Sequence, residues 1–168
     1  MKLSIGAGHF DEYFRDWISI DAKSALAKEY PAGSFRCMDA RNLLKEFKPK
    51  SFDVVFSEHF FEHLNMRDSA TIVAAAHSLL KDGGVIRVSV PDAILRRNEQ
   101  PERFPEQHSH LTAWTVFSLE WLLKNAGFKT HVVAAWLPDG TRTEDLDRLK
   151  MDYGLLRRMN SLVVDGVK

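Results

Sequence analysis

One cysteine stands among 168 residues. Alone, Cys37 can form neither an internal disulfide nor a thiolate cluster for zinc; this usage suits a reducing cytoplasm, and a buried thiol is its expected state. Net charge is missing as well: 23 Lys and Arg balance 23 Asp and Glu, so no basic excess exists to meet a phosphate backbone or an anionic membrane surface. No apolar run approaches the roughly 20 residues that a membrane helix needs. The N-terminus also lacks the apolar core of a signal peptide. These absences turn expectation away from nucleic acid, membrane and secreted scaffolds. They leave a soluble, cytoplasmic single domain over residues 1–168, a length that suits one core.

What is present alternates between strands and helices. Lys2 to Ile5 reads as a strand that runs straight into Gly6-Ala7-Gly8, where glycine permits a tight turn and close backbone approach. Trp17 to Ile20 is a second strand ending at Asp21, and Ala22 to Tyr30 reads as a helix stopped by Pro31. The short interval between Gly8 and Asp21 leaves the first helix about one turn long or absent. Phe35 to Met38 and Phe52 to Phe56 are strands that end at Asp39 and Ser57. From Arg67 to Leu80 apolar residues recur at helical spacing, and Asp82-Gly83-Gly84 supplies the stop. Val85 to Val90 is the fifth strand, and Pro101 to His110 is a polar loop. Phe117 to Ala126 is a helix capped by Gly127, and Trp114, Phe117 and Trp121 are expected to bury one face of it. Strands Lys129 to Ala135 and Ser161 to Val167 are free to pair antiparallel, and the charged stretch Thr141 to Arg158 reads as a solvated helix or loop. This order predicts an α/β, doubly wound domain with a mostly parallel seven-stranded sheet.

In an open α/β sheet the ligand lies outside the carboxyl ends of the strands, where strand order reverses. Four such ends carry notable residues: Gly6-Ala7-Gly8-His9, Asp21-Ala22, Asp39-Ala40 and Ser57-Glu58-His59. A carboxylate at Asp21 can accept both hydroxyls of a ribose, and one at Asp39 can accept an adenine amine, which together describe an adenosine site. In order and spacing, LSIGAG, WISIDA, SFDVVFSEHFFEHL, LLKDGGVIRVSVPD and LLKNAGF resemble the class I S-adenosyl-L-methionine-dependent methyltransferases, particularly the small type-11-like group, over nearly the whole chain. The resemblance implies a Rossmann-like methyltransferase fold with S-adenosyl-L-methionine as cofactor. It assigns Gly6 and Gly8 to the methionine part and adenosine, Asp21 to the ribose and Asp39 to the adenine, and the neighbouring Ala7, His9, Ala22 and Ala40 are expected among the cofactor-binding residues. Glu58 and His59 fall against the methionine part, and Ser57 is expected beside them among the cofactor-binding residues. Two positions depart from the family pattern: its third glycine is Phe10 here, and the acid before its first glycine is Ser4. Relatives also carry helical segments before the first strand, where this sequence has only Met1, so an open crevice is expected. Inward folding of Pro101 to His110, a bulky acceptor or a second subunit in a homodimer would close it.

Three other readings bear on the same residues. A nicotinamide dinucleotide site would need its third glycine at Asp11, whose carboxylate faces a pyrophosphate badly. A domain that binds the donor without turnover, serving as partner or regulator, is the alternative from a different class. Finally, His59-Phe-Phe-Glu62-His63 spells H-x-x-E-H, a zinc-peptidase helix motif, but here it directly follows a strand, so no metal is expected. Methyl transfer from a sulfonium is an in-line displacement in which alignment supplies much of the rate, and only some acceptors need a base. The candidates for that base are His59, His108 and His110. The expected acceptor is a small molecule or a glycan.

Overall fold

The computed structural model describes residues 1–95, 110–144 and 161–168. Its elements in chain order are β1 (Lys2–Ile5), β2 (Ile18–Asp21), β3 (Phe35–Cys37), α1 (Leu43–Glu46), β4 (Phe52–Glu58), α2 (Met66–Leu79), β5 (Leu80–Pro91), α3 (Val116–Asn125), β6 (Lys129–Trp136), β7 (Arg142–Glu144) and β8 (Ser161–Val167). Short 3-10 turns at Glu12–Phe14, Ser24–Glu29, Ala40–Asn42 and Phe61–His63 link them.

The described strands make one eight-stranded sheet in the order β3-β2-β1-β4-β5-β8-β6-β7. β1 through β5 pair in parallel, whereas β8 runs antiparallel between β5 and β6, and β7 is antiparallel to β6. The sheet is therefore mixed and has eight strands instead of seven. The additional strand is the three-residue β7, which folds back on Ala134–Trp136 through a turn held by Asp139, whose carboxylate accepts the Thr141 N–H at 2.9 Å. Its polar residues and short length conceal it in a stretch that reads as solvated.

The chain moves outward from β1 to β2 and β3, then returns to add β4 on the other side of β1. The order thus reverses at the β1–β4 pair, which is where an open sheet leaves a crevice beyond its carboxyl ends. Beneath one face of the sheet, Leu3, Ile5, Val55, Ile86 and Val88 pack with Ile72, Val73, Ala76 and Leu79 of α2 and with Leu119, Leu122 and Leu123 of α3. On the other face Phe14 stacks on Phe56 with ring centroids 5.5 Å apart, and Trp17 meets Phe56 edge-on. Val55 and Phe56 serve opposite faces because successive strand residues alternate sides.

Three local expectations change. Ala22 to Tyr30 forms 3-10 turns instead of a helix; it buries only Leu26 within the Ser24–Glu29 turn, too narrow a stripe to hold an amphipathic helix on the sheet. In α3 the aliphatic stripe Val116, Leu119, Leu122 and Leu123 faces inward, so Phe117 and Trp121 are 62% and 59% exposed while Trp114 is fully buried. Cys37 is exposed, not buried.

Candidate functional site

The glycine loop leaves β1 with Gly6 and Gly8 at φ 67° and 59°, left-handed values that glycine adopts without strain. The N–H groups of Gly6 and Ala7 both donate to the Ile20 carbonyl, at 3.0 and 3.1 Å, which draws the loop across the end of β2. There Asp21 holds both sides: one carboxylate oxygen accepts the Gly8 N–H at 3.2 Å and the other the Lys23 N–H at 2.9 Å. Tyr30 closes the loop from outside by donating its hydroxyl to the Gly8 carbonyl at 2.9 Å. Burial, followed by the nearby charges of Asp21 and Glu29, pushes the Tyr30 phenol up to about 12.

Asp39 caps the turn after β3, where it accepts the Arg41 N–H at 2.8 Å and pairs with the Arg41 guanidinium. That side-chain bond holds the Asp39 carboxyl below its ordinary range. Arg41 also reaches Asp68 at the start of α2, at 3.4 Å.

These strand ends enclose a cavity of about 620 Å³. Of the residues proposed from sequence, Gly6, Gly8, Asp21, Ala22, Asp39, Ala40 and His59 line it. Ala7, His9, Ser57 and Glu58 do not: His9 turns outward to pair with Glu29 at 2.9 Å, and Ser57 is buried within β4. Sequence reasoning missed Lys23, Met38 and Arg41, which adjoin the strand-end acids and were within reach of the same argument. It also missed Phe60, His63, Leu64 and Ile72, which only the packing of the β4–α2 connection brings to the cavity.

That connection is tightly built. His59 adopts φ 49°, an uncommon conformation for a residue with a side chain, and its N–H donates to the Ser89 carbonyl at 2.9 Å. Its ring is fixed at both nitrogens, by Glu62 Oε1 at 3.0 Å and Ser161 Oγ at 3.2 Å. With 61–63 in a 3-10 turn and His59 outside it, His59 and His63 do not form the one-turn helical pair of a zinc peptidase. His110 does not line the cavity but lies edge-on to His63, ring centroids 5.0 Å apart. His108 and residues 101–109 of the expected closing loop lie outside the described residues.

Solved structures with this fold span nearly the whole chain. A SAM dependent methyltransferase from Archaeoglobus fulgidus is 18% identical, with a TM-score of 0.67 over 99% of this chain and 85% of that one. A possible histamine N-methyltransferase from Thermotoga maritima is 16% identical, with a TM-score of 0.66 over 99% and 81%. A phosphoethanolamine N-methyltransferase from Haemonchus contortus, solved with phosphomonomethylethanolamine and S-adenosylhomocysteine, gives 19% and 0.60 over 79% of this chain and 34% of that one. No curated protein matches the chain. Among the described residues no helix is long and apolar enough to cross a membrane. The profile of the methyltransferase domain matches residues 6–133, from the first glycine of the β1 loop into β6, and with strand order reversing beside that loop the chain belongs to the methyltransferase domain family.

Proposed function

We propose that this chain transfers a methyl group from S-adenosyl-L-methionine to a small-molecule or glycan acceptor. The observation that carries the reading is the convergence of Gly6, Gly8, Asp21 and Asp39 on one cavity at the carboxyl ends of three adjacent parallel strands. There Asp21 would accept the ribose hydroxyls, and Met38, Ala40 and Leu64 offer apolar surface to an adenine whose amine points towards Asp39. The methionine part would run past Gly6 and Phe60 towards His59 and His63. Asp21 already accepts two backbone N–H groups, so it arrives at a ligand oriented instead of free.

The acceptor would approach across the His59–His63 side of the cavity, in line with the methyl–sulfur bond. Alignment supplies much of such a displacement, and an amine acceptor entering neutral needs no base. For a hydroxyl acceptor, His59 is a constrained base because both of its ring nitrogens are engaged. The balance of 23 basic and 23 acidic residues supports a small or uncharged acceptor over nucleic acid.

The experiment is a pair of thermal-shift titrations. S-adenosylhomocysteine is expected to raise the melting temperature and reduced nicotinamide dinucleotide to leave it unchanged, since only a ligand of the native state stabilises it. The reverse result overturns the proposal in favour of a dinucleotide site. Turnover is read separately, as S-adenosylhomocysteine formed from S-adenosyl-L-methionine with a collection of small-molecule and glycan acceptors. Donor binding without any transfer would leave a regulatory module.

A further inference from the structure

We propose that Glu62, His63 and His110 form a site for one divalent transition-metal ion at the rim of the donor cavity. Each offers a ligand atom, and the three atoms all lie within 4.8 Å of one another. Ligands of a tetrahedral zinc with bonds of about 2.0–2.1 Å stand roughly 3.3 Å apart. Separations of no more than 4.8 Å lie near enough to that spacing for adjustment of the side chains to bring the three atoms around one cation. Two imidazoles and a carboxylate suit zinc, cobalt or another borderline divalent cation better than calcium or magnesium, which favour all-oxygen sets.

A second observation points to a ligand independently. Glu62 is 1% exposed, yet its Oε2 has no hydrogen-bond partner among the described residues. A carboxylate oxygen buried without a partner is costly, and a cation relieves that cost. Its other oxygen, Oε1, meets His59 Nδ1 at 3.0 Å, and His59 Nε2 meets Ser161 Oγ at 3.2 Å. Metal ligands are characteristically fixed by such an outer partner, which makes His59 a positioning residue for Glu62. Its left-handed backbone places the ring there.

The surrounding backbone holds the three residues together although His110 comes from a part of the chain far from the adjacent Glu62 and His63. Leu111 and Thr112 both donate their N–H groups to the Glu62 carbonyl, at 2.7 and 3.1 Å, and Thr112 Oγ1 donates to the Leu64 carbonyl at 2.7 Å. His110 is thereby delivered to the turn that carries Glu62 and His63. His63 also lines the donor cavity, so positions left open on the cation are accessible from its rim to water or an oxygen ligand. The expectation of no metal rested on the single cysteine and on the HFFEH segment following a strand, and did not weigh His110 beside Glu62. The cation site does not depend on the identity of the methyl donor.

The full chain, stripped with a chelator and dialysed, would be titrated with cobalt(II), then with zinc(II) in competition, following visible absorbance and calorimetric stoichiometry. One cobalt per chain is expected, with a visible spectrum of low coordination number that zinc abolishes. His110→Ala and His63→Ala should each weaken cobalt binding by more than the roughly 10–100-fold that loss of an outer partner costs. His59→Ala should fall within that range. His110 lies at a loop end, so its variant is expected to fold, with the far-ultraviolet dichroism spectrum as the check. Absence of cobalt binding, or binding that survives His110→Ala undiminished, overturns the cation site. S-adenosylhomocysteine affinity of the stripped protein is measured in parallel: its absence would remove the donor reading and leave the cation site standing.

Discussion

The ring of Phe60 lies directly over Gly6, so close that a methyl group on Gly6 would come within 2.4 Å of Phe60 Cδ2. The first residue of the β4–α2 connection beyond His59 thus closes on the β1 loop. Gly6→Ala combines a left-handed backbone with this overlap and is expected to cost the roughly 1–3 kcal/mol of an overpacked site in addition to backbone strain. Gly8→Ala, at a similar φ but with open space around it, should cost only the strain, about 1 kcal/mol. Urea denaturation of the two variants measures the difference, and equal losses would show that Phe60 yields freely.

Asp21→Ala is expected to weaken S-adenosylhomocysteine binding by about 1–3 kcal/mol, the usual loss when hydrogen bonds to a charged group go. Calorimetric titration of the folded variant tests it. Unchanged affinity would remove Asp21 from the ribose position, since its bonds to Gly8 and Lys23 would then be its whole role.

Tyr30 gives a pH-dependent prediction. Its folded pKa, about 12, lies above the ordinary 10.0, so the folded state favours the protonated phenol. The stability Tyr30 contributes is therefore complete below pH 10 and is lost as pH rises through 12. Tyr30→Phe should be less stable than the parent by about 1 kcal/mol at neutral pH, through loss of the bond to Gly8. That deficit should shrink and then reverse across this alkaline window. Parallel denaturant melts of the two proteins follow it, and a constant difference would contradict the assignment.

Arg87 on β5 and Asp165 on β8 face one another across the antiparallel pair and form two hydrogen bonds, at 2.8 and 2.9 Å, with both side chains buried. Removing one partner leaves an uncompensated buried charge, so Asp165→Asn is expected to cost about 3–5 kcal/mol. The joint replacement Arg87→Met with Asp165→Leu should recover most of that loss in equilibrium urea unfolding. Non-recovery would mean that the pair also fixes the register of β8.

Much of the donor side was legible because the signals are local. Each parallel strand is a short apolar run, so the residue that ends it or closely follows it, Asp21 at the end of β2, Asp39 two residues beyond β3 or Gly6 after β1, is fixed by the strand's own length. Where two local patterns competed, the sequence could not choose. The α3 segment carries an aromatic stripe through Trp114, Phe117 and Trp121 and an aliphatic stripe through Val116, Leu119 and Leu122, both at helical spacing. The aliphatic stripe meets the sheet, and Phe117 and Trp121 turn outward. The exposure of Cys37, at the end of the edge strand β3, follows from a sheet order that no neighbouring residue encodes.

By itself, then, the sequence determined the succession of β1 to β6 and β8 along the chain, the acids after β2 and β3 and the glycine turn, because hydrophobic periodicity and backbone freedom act over a few residues. Only the tertiary structure decided that Phe60 covers Gly6, that Arg41 occupies Asp39, and that His110 meets His63 beside the buried Glu62. Those contacts arise where separate elements pack. Which side chains meet there depends on how the whole sheet and its helices close over one core, not on any spacing along the chain.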